Sequence, residues 1–260
     1  MPEPLRIAWL TTGRGPGSYG ALKYLFQAID AGLPVEPAVV FVNRDEGESE
    51  ATDQLIALAR GRGVPVEAFS SVRYRKSVGG QRSRPGDPLP QWRHDYDNLA
   101  AEQLAAYDFS LGVMFGYMLI ATPALFERFP FLNDHPALPD GPVGTYQQVI
   151  AQLIERRATE SGCMVNLVTG EVDRGPVVSF CRYAIRDEAN AELWERYAET
   201  PGDEQSPLYA DIRARGVARE RPFLVETLRA IAEGRLNVPP PGPLDLTDEV
   251  ESAVTGAKPR

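Results

Sequence analysis

Histidine and cysteine are scarce in this 260-residue chain, with two of each. Cys163 and Cys181 have neither metal-ligand spacing nor the density of a disulfide framework, so they read as packing residues in a reducing cytoplasm. His94 and His135 stand far apart among scattered acids, and no metal is expected. No run approaches the roughly 18 apolar residues of a membrane span. The opening "MPEPLRIAWL" passes directly into a short strand, without the apolar segment of a signal peptide. Positive charge is also in deficit: 27 Lys and Arg against 36 Asp and Glu leave a net charge of −9. Nucleic acid and anionic membrane surfaces would be repelled, which excludes both as general partners. Small-molecule substrates remain, bound by a monomer or homodimer.

The apolar residues, 43% of the total, fall into short β-rich runs: "RIAWLTT", "EPAVVFVN", "VPVEAF", "DFSLGVMF", "RFPFLN", "GCMVNLV" and "GPVVSFCRYA". Helical patterns lie between them at 18–31, 48–63, 97–107, 123–129 and 143–158. In the first helix Ala21, Leu22, Leu25 and Ile29 share a face and Ser18 is the expected N-cap. This alternation predicts an α/β, Rossmann-like fold with a mostly parallel central sheet and helices on both faces. Residues 1–236 read as one catalytic domain. Two segments break the pattern. Residues 73–93 form a long, turn-rich basic insertion carrying Arg73, Arg75, Lys76, Arg82, Arg84 and Arg93, either a solvated loop or a lid over an anion. Residues 237–260, Pro-rich and then polar, read as a flexible tail.

Within "TTGRGPGSYGALKYL", Gly15, Gly17 and Gly20 spell G-x-G-x-x-G between a strand and a helix. That geometry makes an anion site, because bare backbone N–H groups and the positive helix end face the ligand. A structural tight turn is the alternative. A dinucleotide would further need an acid at the end of the next strand for the ribose hydroxyls. Here Asn43 and Arg44 hold that tip, with Asp45 just beyond. The fit is imperfect, and Arg44 would suit only a 2′-phosphate.

The stretch "FLNDHPALPDGPVG" places Asn133 and His135 two apart at the end of an apolar run, on the same face of an extended chain. About 40 residues later, a turn carries Asp173-Arg174-Gly175-Pro176 between two strands. If those strands are neighbours, a carboxylate near His135 would raise the imidazole pKa and orient the ring. In isolation, His135 could equally be structural and Asp173 an ordinary turn former.

Together these segments resemble the folate-dependent formyltransferase family, whose catalytic trio is an Asn, a His two residues later and a distant Asp before Gly-Pro. Asn133, His135 and Asp173 match that trio. "MFGYMLIATPALFERF" resembles the family's folate-side segment, and "GPGSYGAL" resembles its loop for a substrate phosphate. The resemblance runs from about Leu5 to Tyr183. It implies transfer of a formyl group from 10-formyltetrahydrofolate to the amine of a small phosphorylated acceptor such as glycinamide ribonucleotide, without a metal. It implies a phosphate site at Gly15, Pro16, Gly17 and Ser18. Folate contacts are implied at Tyr117, Met118, Leu119, Ile120, Val172 and Asp173. Three positions depart from the family pattern: Tyr19 where Asn is usual, Leu119 where a basic residue is usual, and Asp134 between Asn133 and His135. The alternatives are a 10-formyltetrahydrofolate hydrolase, whose usual N-terminal domain has no room before Leu5, and an NADP-dependent oxidoreductase.

Overall fold

Short apolar runs pair side by side in parallel through the first half of the chain. The computed structural model describes residues 3–83, 86–199 and 206–256. The chain divides into two compact units, one of Met1–Asn133 with Leu167–Gly175 and one of Asp134–Asn166 with Pro176–Arg260. The expected 1–236 domain is therefore not the unit of packing.

The first unit contains β1 (Leu5–Thr11), α1 (Pro16–Asp30), β2 (Val35–Val42), α2 (Glu50–Gly61), β3 (Val66–Ala68), α3 (Ser71–Ser77), α4 (Gln91–Leu104), β4 (Leu111–Met114), α5 (Pro123–Phe126) and the start of β5 (Phe131–His135). Its strands run in the order β3-β2-β1-β4-β5, and every pairing is parallel. β1 and β2 are buried along most of their length, as expected for strands covered on both faces. The order proceeds outward from β1 in two directions, so the loops leaving β1 and β4 part from one another at the carboxyl edge. Open α/β sheets take ligands at such a reversal.

α4 explains much of the core. Trp92, Tyr96, Ala100 and Leu104 recur every four residues on one face and join Ala8, Leu10, Val39, Phe41 and Phe131 in one buried cluster. The Tyr96 ring stacks on Phe69 at 4.6 Å, and its hydroxyl donates to the Phe69 carbonyl at 2.5 Å. Gly112 in β4 must lack a side chain, because the Phe131 ring occupies the place of its Cβ.

Several elements differ from expectation. α1 starts from Gly15 as N-cap, with Pro16 in its first turn; Ser18 lies inside the helix. α4 begins at Gln91 rather than 97, because Arg93 and Asp97, which look solvent-facing in sequence, pair with each other inside. The basic insertion is largely folded. α3 covers its start, Arg73 pairs with Asp45 at 3.1 Å and Glu48 at 3.2 Å, and Trp92 Nε1 donates to the Gln81 carbonyl at 2.8 Å. Arg84 lies outside the described residues.

The second unit holds the end of β5, α6 (Tyr146–Glu155), β6 (Glu160–Leu167) up to Asn166, β7 (Val177–Ala184), α7 (Ala191–Glu199), α8 (Pro207–Ala232), β8 (Leu244–Asp245) and α9 (Thr247–Thr255). β6 and β7 are antiparallel, with Cys163 opposite Cys181; both thiols are free and buried. The segment read as a flexible tail is ordered from 237 to 256. β8 pairs with β7, and Leu246 and Val250 are fully buried. Its prolines precede the packed part, and the short apolar signal Leu244, Leu246, Val250 was hidden by the polar residues around it. Among the described residues no helix is long and apolar enough to cross a membrane. Replacing Leu246 with Ala should cost about 2–5 kcal/mol by the scale of buried Leu truncations. A urea midpoint unchanged from wild type would show that the tail contributes nothing to the fold.

Candidate active site at the carboxyl edge

The loop after β1 contains two kinds of glycine. Gly13 has φ +66, in the left-handed region that glycine enters without penalty. Gly15 is extended at φ −156, a conformation open to any residue. Among the described residues, no atom beyond the chain neighbours and the helix's own backbone lies within 4 Å of where a Cβ on Gly15 or Gly17 would stand. The chain itself does not require these two glycines; they keep the approach to the backbone clear. Serine or threonine side chains cap α2, α3, α6 and α8, whereas α1, like α4, α5 and α9, starts without a side-chain cap hydrogen bond. Pro16 has no N–H, so the amides of Gly17 and Ser18 head the helix and can receive an anion. The dinucleotide alternative fares worse. Asp45, the nearest acid for a ribose, accepts the Ser70 amide at 2.8 Å and pairs with Arg73.

The loop after β4, residues 115–122, is tied to the loop after β1. Thr12 N–H donates to the Gly116 carbonyl at 3.0 Å, and its Oγ1 accepts the Met118 amide at 2.8 Å. Gly116 has φ +65, and Ser18 Oγ sits where its Cβ would be. Two buried side chains of α4 hold the far end. Arg93 Nη2 donates to the Ile120 carbonyl at 2.7 Å, and Asp97 Oδ2 accepts the Thr122 amide at 2.7 Å. Burial pushes the Asp97 carboxyl above its ordinary range, with Arg93 opposing the shift. The loop's side chains alternate. Met118 is 67% and Ile120 51% exposed, whereas Tyr117 is buried and Leu119 packs partly on the core. Of these four candidate folate contacts, two thus present their side chains outward.

Asn133 lies level with Met114 of β4. Its Nδ2 donates to Asp173 Oδ1 at 3.0 Å. Asp173 sits in the turn after β6, which is joined to β5 by the Val168 amide donating to the Phe131 carbonyl at 2.8 Å. Its φ of 55 is a left-handed conformation that Asp tolerates better than most residues. Gly175 is obligatory in this turn, because a Cβ there would meet the Leu167 carbonyl. Val172 beside Asp173 is 54% exposed.

His135, at the end of β5, is 2% exposed, and its Nε2 lies 3.0 Å from the Pro142 carbonyl. A carbonyl only accepts, so a proton on Nε2 donates to it. Asp134 faces elsewhere in the second unit. Burial, with Glu220 and Cys181 nearby and Arg213 opposing, pushes its carboxyl well above 3.8. Its Oδ1 is buried without a hydrogen-bond partner. A position occupied by an apolar residue in the resembling family therefore carries a buried acid here. Thr12, Arg93 and Asp97 were missed in sequence. For the last two the available signal was an i, i+4 charge pair on a helix whose other inward positions are apolar.

Comparison with known proteins bears on these same segments. A family model described as formyl transferase matches residues 17–204. The chain is 34% identical over 192 residues to phosphoribosylglycinamide formyltransferase of Haemophilus influenzae, covering 72% of this chain and 76% of that one. Among solved structures, glycinamide ribonucleotide transformylase 1 from Symbiobacterium toebii is 26% identical with a TM-score of 0.62, covering 90% of this chain and 91% of that one. A formyltetrahydrofolate deformylase from Pseudomonas putida shares the fold at 15% identity and a TM-score of 0.60, covering 92% of this chain but 69% of its own.

Two stability measurements check this geometry. Gly175→Ala should lose about 1–3 kcal/mol through overpacking, while Gly15→Ala should leave the urea midpoint in place. Equal losses would contradict the open space above Gly15. For Asp134, the folded state holds its proton more tightly than the unfolded chain, so wild-type stability falls as pH rises above about 3.8. Asp134→Asn should therefore be more stable than wild type at pH 7, with the gap closing toward pH 4. A gap independent of pH would refute the assignment.

Proposed function

Because the chain belongs to the formyl transferase family, we propose that it moves a formyl group from 10-formyltetrahydrofolate to the amine of glycinamide ribonucleotide or a closely related phosphorylated amine of purine biosynthesis. The single observation that carries the reading is the hydrogen bond from Asn133 Nδ2 to Asp173 Oδ1. It joins two members of the trio that resembles the family's catalytic residues. The free, buried thiols of Cys163 and Cys181 suit a reducing cytoplasm.

In this reading the acceptor amine attacks the formyl carbon, and negative charge develops on the formyl oxygen. Asn133 donates its amide N–H to that oxygen, a contribution of about 2.7–4 kcal/mol in comparable oxyanion sites. His135, protonated, adds positive charge beside it. Asp173 accepts the proton lost by the amine, through a water, and the proton reaches the folate nitrogen as the carbon–nitrogen bond to the donor breaks. No step calls for a metal. The amides of Gly17 and Ser18, with the bare backbone at Gly15 and Pro16, receive the acceptor phosphate. Met118 and Ile120 offer apolar contact to the folate, with Val172 beside Asp173, while Tyr117 and Leu119 support that edge from within.

Incubation of the protein with 10-formyltetrahydrofolate and glycinamide ribonucleotide should yield the formylated ribonucleotide, read by mass. Formate release without a formylated amine would instead identify a hydrolase. Ala at Asn133, His135 or Asp173 should lower kcat by about 10²-fold or more, as for other groups acting on transition-state charge. Near wild-type turnover of His135→Ala would overturn the mechanism. Gly17→Val should raise KM for the ribonucleotide and spare KM for the folate; the reverse pattern would refute the phosphate site.

A further inference from the structure

His135 ends β5, and α6 begins at Tyr146. The segment between them folds back until the Pro142 carbonyl stands 3.0 Å from His135 Nε2. It has no strand ladder of its own. Its turns are closed by the Ala137 amide on the His135 carbonyl at 2.9 Å and the Gly141 amide on the Leu138 carbonyl at 2.8 Å. The direction of the imidazole therefore depends on whatever holds this segment in place.

We propose that Tyr146, Arg213 and Glu220 are positioning residues for His135. They clamp the segment from Pro136 to Tyr146 against α8, and the Pro142 carbonyl then fixes the ring through Nε2. This rests on the reading of His135 as a member of the reacting trio.

Three observations carry the proposal. First, Tyr146 opens α6 with its ring under a guanidinium from α8. Arg213 Cζ lies 4.2 Å from the ring centroid, and Arg213 Nη1 donates to Glu220 Oε1 at 2.5 Å. An ion pair that served α8 alone would join residues three or four apart. This one spans seven, and its guanidinium lies against another helix. Second, one face of α8 meets both ends of the segment. Arg213, Gly216 and Glu220 line a cavity of about 10 Å³ together with Pro136, the residue after His135, and Tyr146. On the other side of His135, Glu220 and Arg213 are among the charges that act on the buried Asp134 carboxyl. Third, the link from Tyr146 back to Pro142 is stiff. Thr145 and Gln148 close a capping box, and Gln148 Oε1 occupies the place of a Cβ on Gly144. Gln152 Nε2 reaches back from α6 to the Val143 carbonyl at 3.4 Å. A shift of Tyr146 is thus passed on to the carbonyl that holds the imidazole. Groups that act on reacting atoms need this kind of support from the residues behind them.

The test reads the ring itself. His94 and His135 are the only histidines, so imidazole nitrogen NMR gives two sets of signals, and a His94→Gln variant assigns them. Tyr146→Leu removes the ring under Arg213, whereas Tyr146→Phe keeps it. Tyr146→Leu should shift the His135 Nε2 resonance and leave that of His94 in place. It should also lower kcat about tenfold or more, with KM for both substrates within about twofold, as for a misplaced reacting group. Tyr146→Phe should match wild type in each respect. Arg213→Met with Glu220→Gln, which removes both charges together, should behave as Tyr146→Leu does. An unshifted His135 resonance in folded Tyr146→Leu overturns the proposal, and so does Tyr146→Phe as impaired as Tyr146→Leu. A raised KM at unchanged kcat overturns it too. Should the double variant fail to fold, the two Tyr146 variants decide alone. The spectra need no substrate, which keeps the two levels apart. If the wild type transfers no formyl group while Tyr146→Leu shifts the resonance, the reading of the reaction fails and the clamp on the ring stands. If the wild type transfers formyl groups and the resonance does not move, only the positioning proposal fails.

Discussion

Two hydrogen bonds from Thr12 join the loops that leave β1 and β4. The sheet order sends these loops in opposite directions, and the crevice between them depends on their staying together at its floor. The remaining constraints of this edge follow from that tie. Gly116 must be glycine for the backbone to turn with φ +65 against Ser18. Ser18 stands in the first turn of α1, so the glycine loop and the apolar edge share one point of attachment.

The strands β1 to β5 were legible because a parallel sheet buried on both faces needs nearly continuous apolar runs, and the antiparallel pair β6 and β7 is apolar enough to stand out as well. The limits of legibility have physical causes. Thr12 and Met118 are 106 residues apart, and nothing local marks a threonine that will bond a distant amide. Arg93 and Asp97 made the start of α4 look like exposed loop, although the two pair with each other inside. Gly15 displaced Ser18 as the cap of α1 because Pro16 is well suited to open a helix. The packed segment near Leu246 and Val250 was obscured by the prolines before it. Asn133 and Asp173 were identified from a motif, whereas the hydrogen bond between them and the left-handed turn that presents Asp173 needed the structure.

The buried acids illustrate how environment assigns the state of a side chain. Asp97 lies beside Arg93 and receives the Thr122 amide, so two groups oppose the effect of burial. Burial is the largest effect at both acids; at Asp134, one residue from Asn133, Glu220 and Cys181 add to it and Arg213 alone opposes it. The first acid is built into a backbone anchor. The second is a liability for stability at neutral pH, next to residues whose orientation the proposed chemistry requires.

The anchors of the loop after β4 grip main-chain atoms: the carbonyls of Gly116 and Ile120 and the amides of Met118 and Thr122. Every amino acid except proline supplies both kinds of group. The outward side chains at 118 and 120 can therefore be exchanged without disturbing the bonds that hold the loop, and the same holds for amides used to receive an anion at the start of α1. Such an edge can drift in sequence while its shape persists. Descendants of one chain could then acquire different ligands by changing what the loop displays, with the inherited framework left intact.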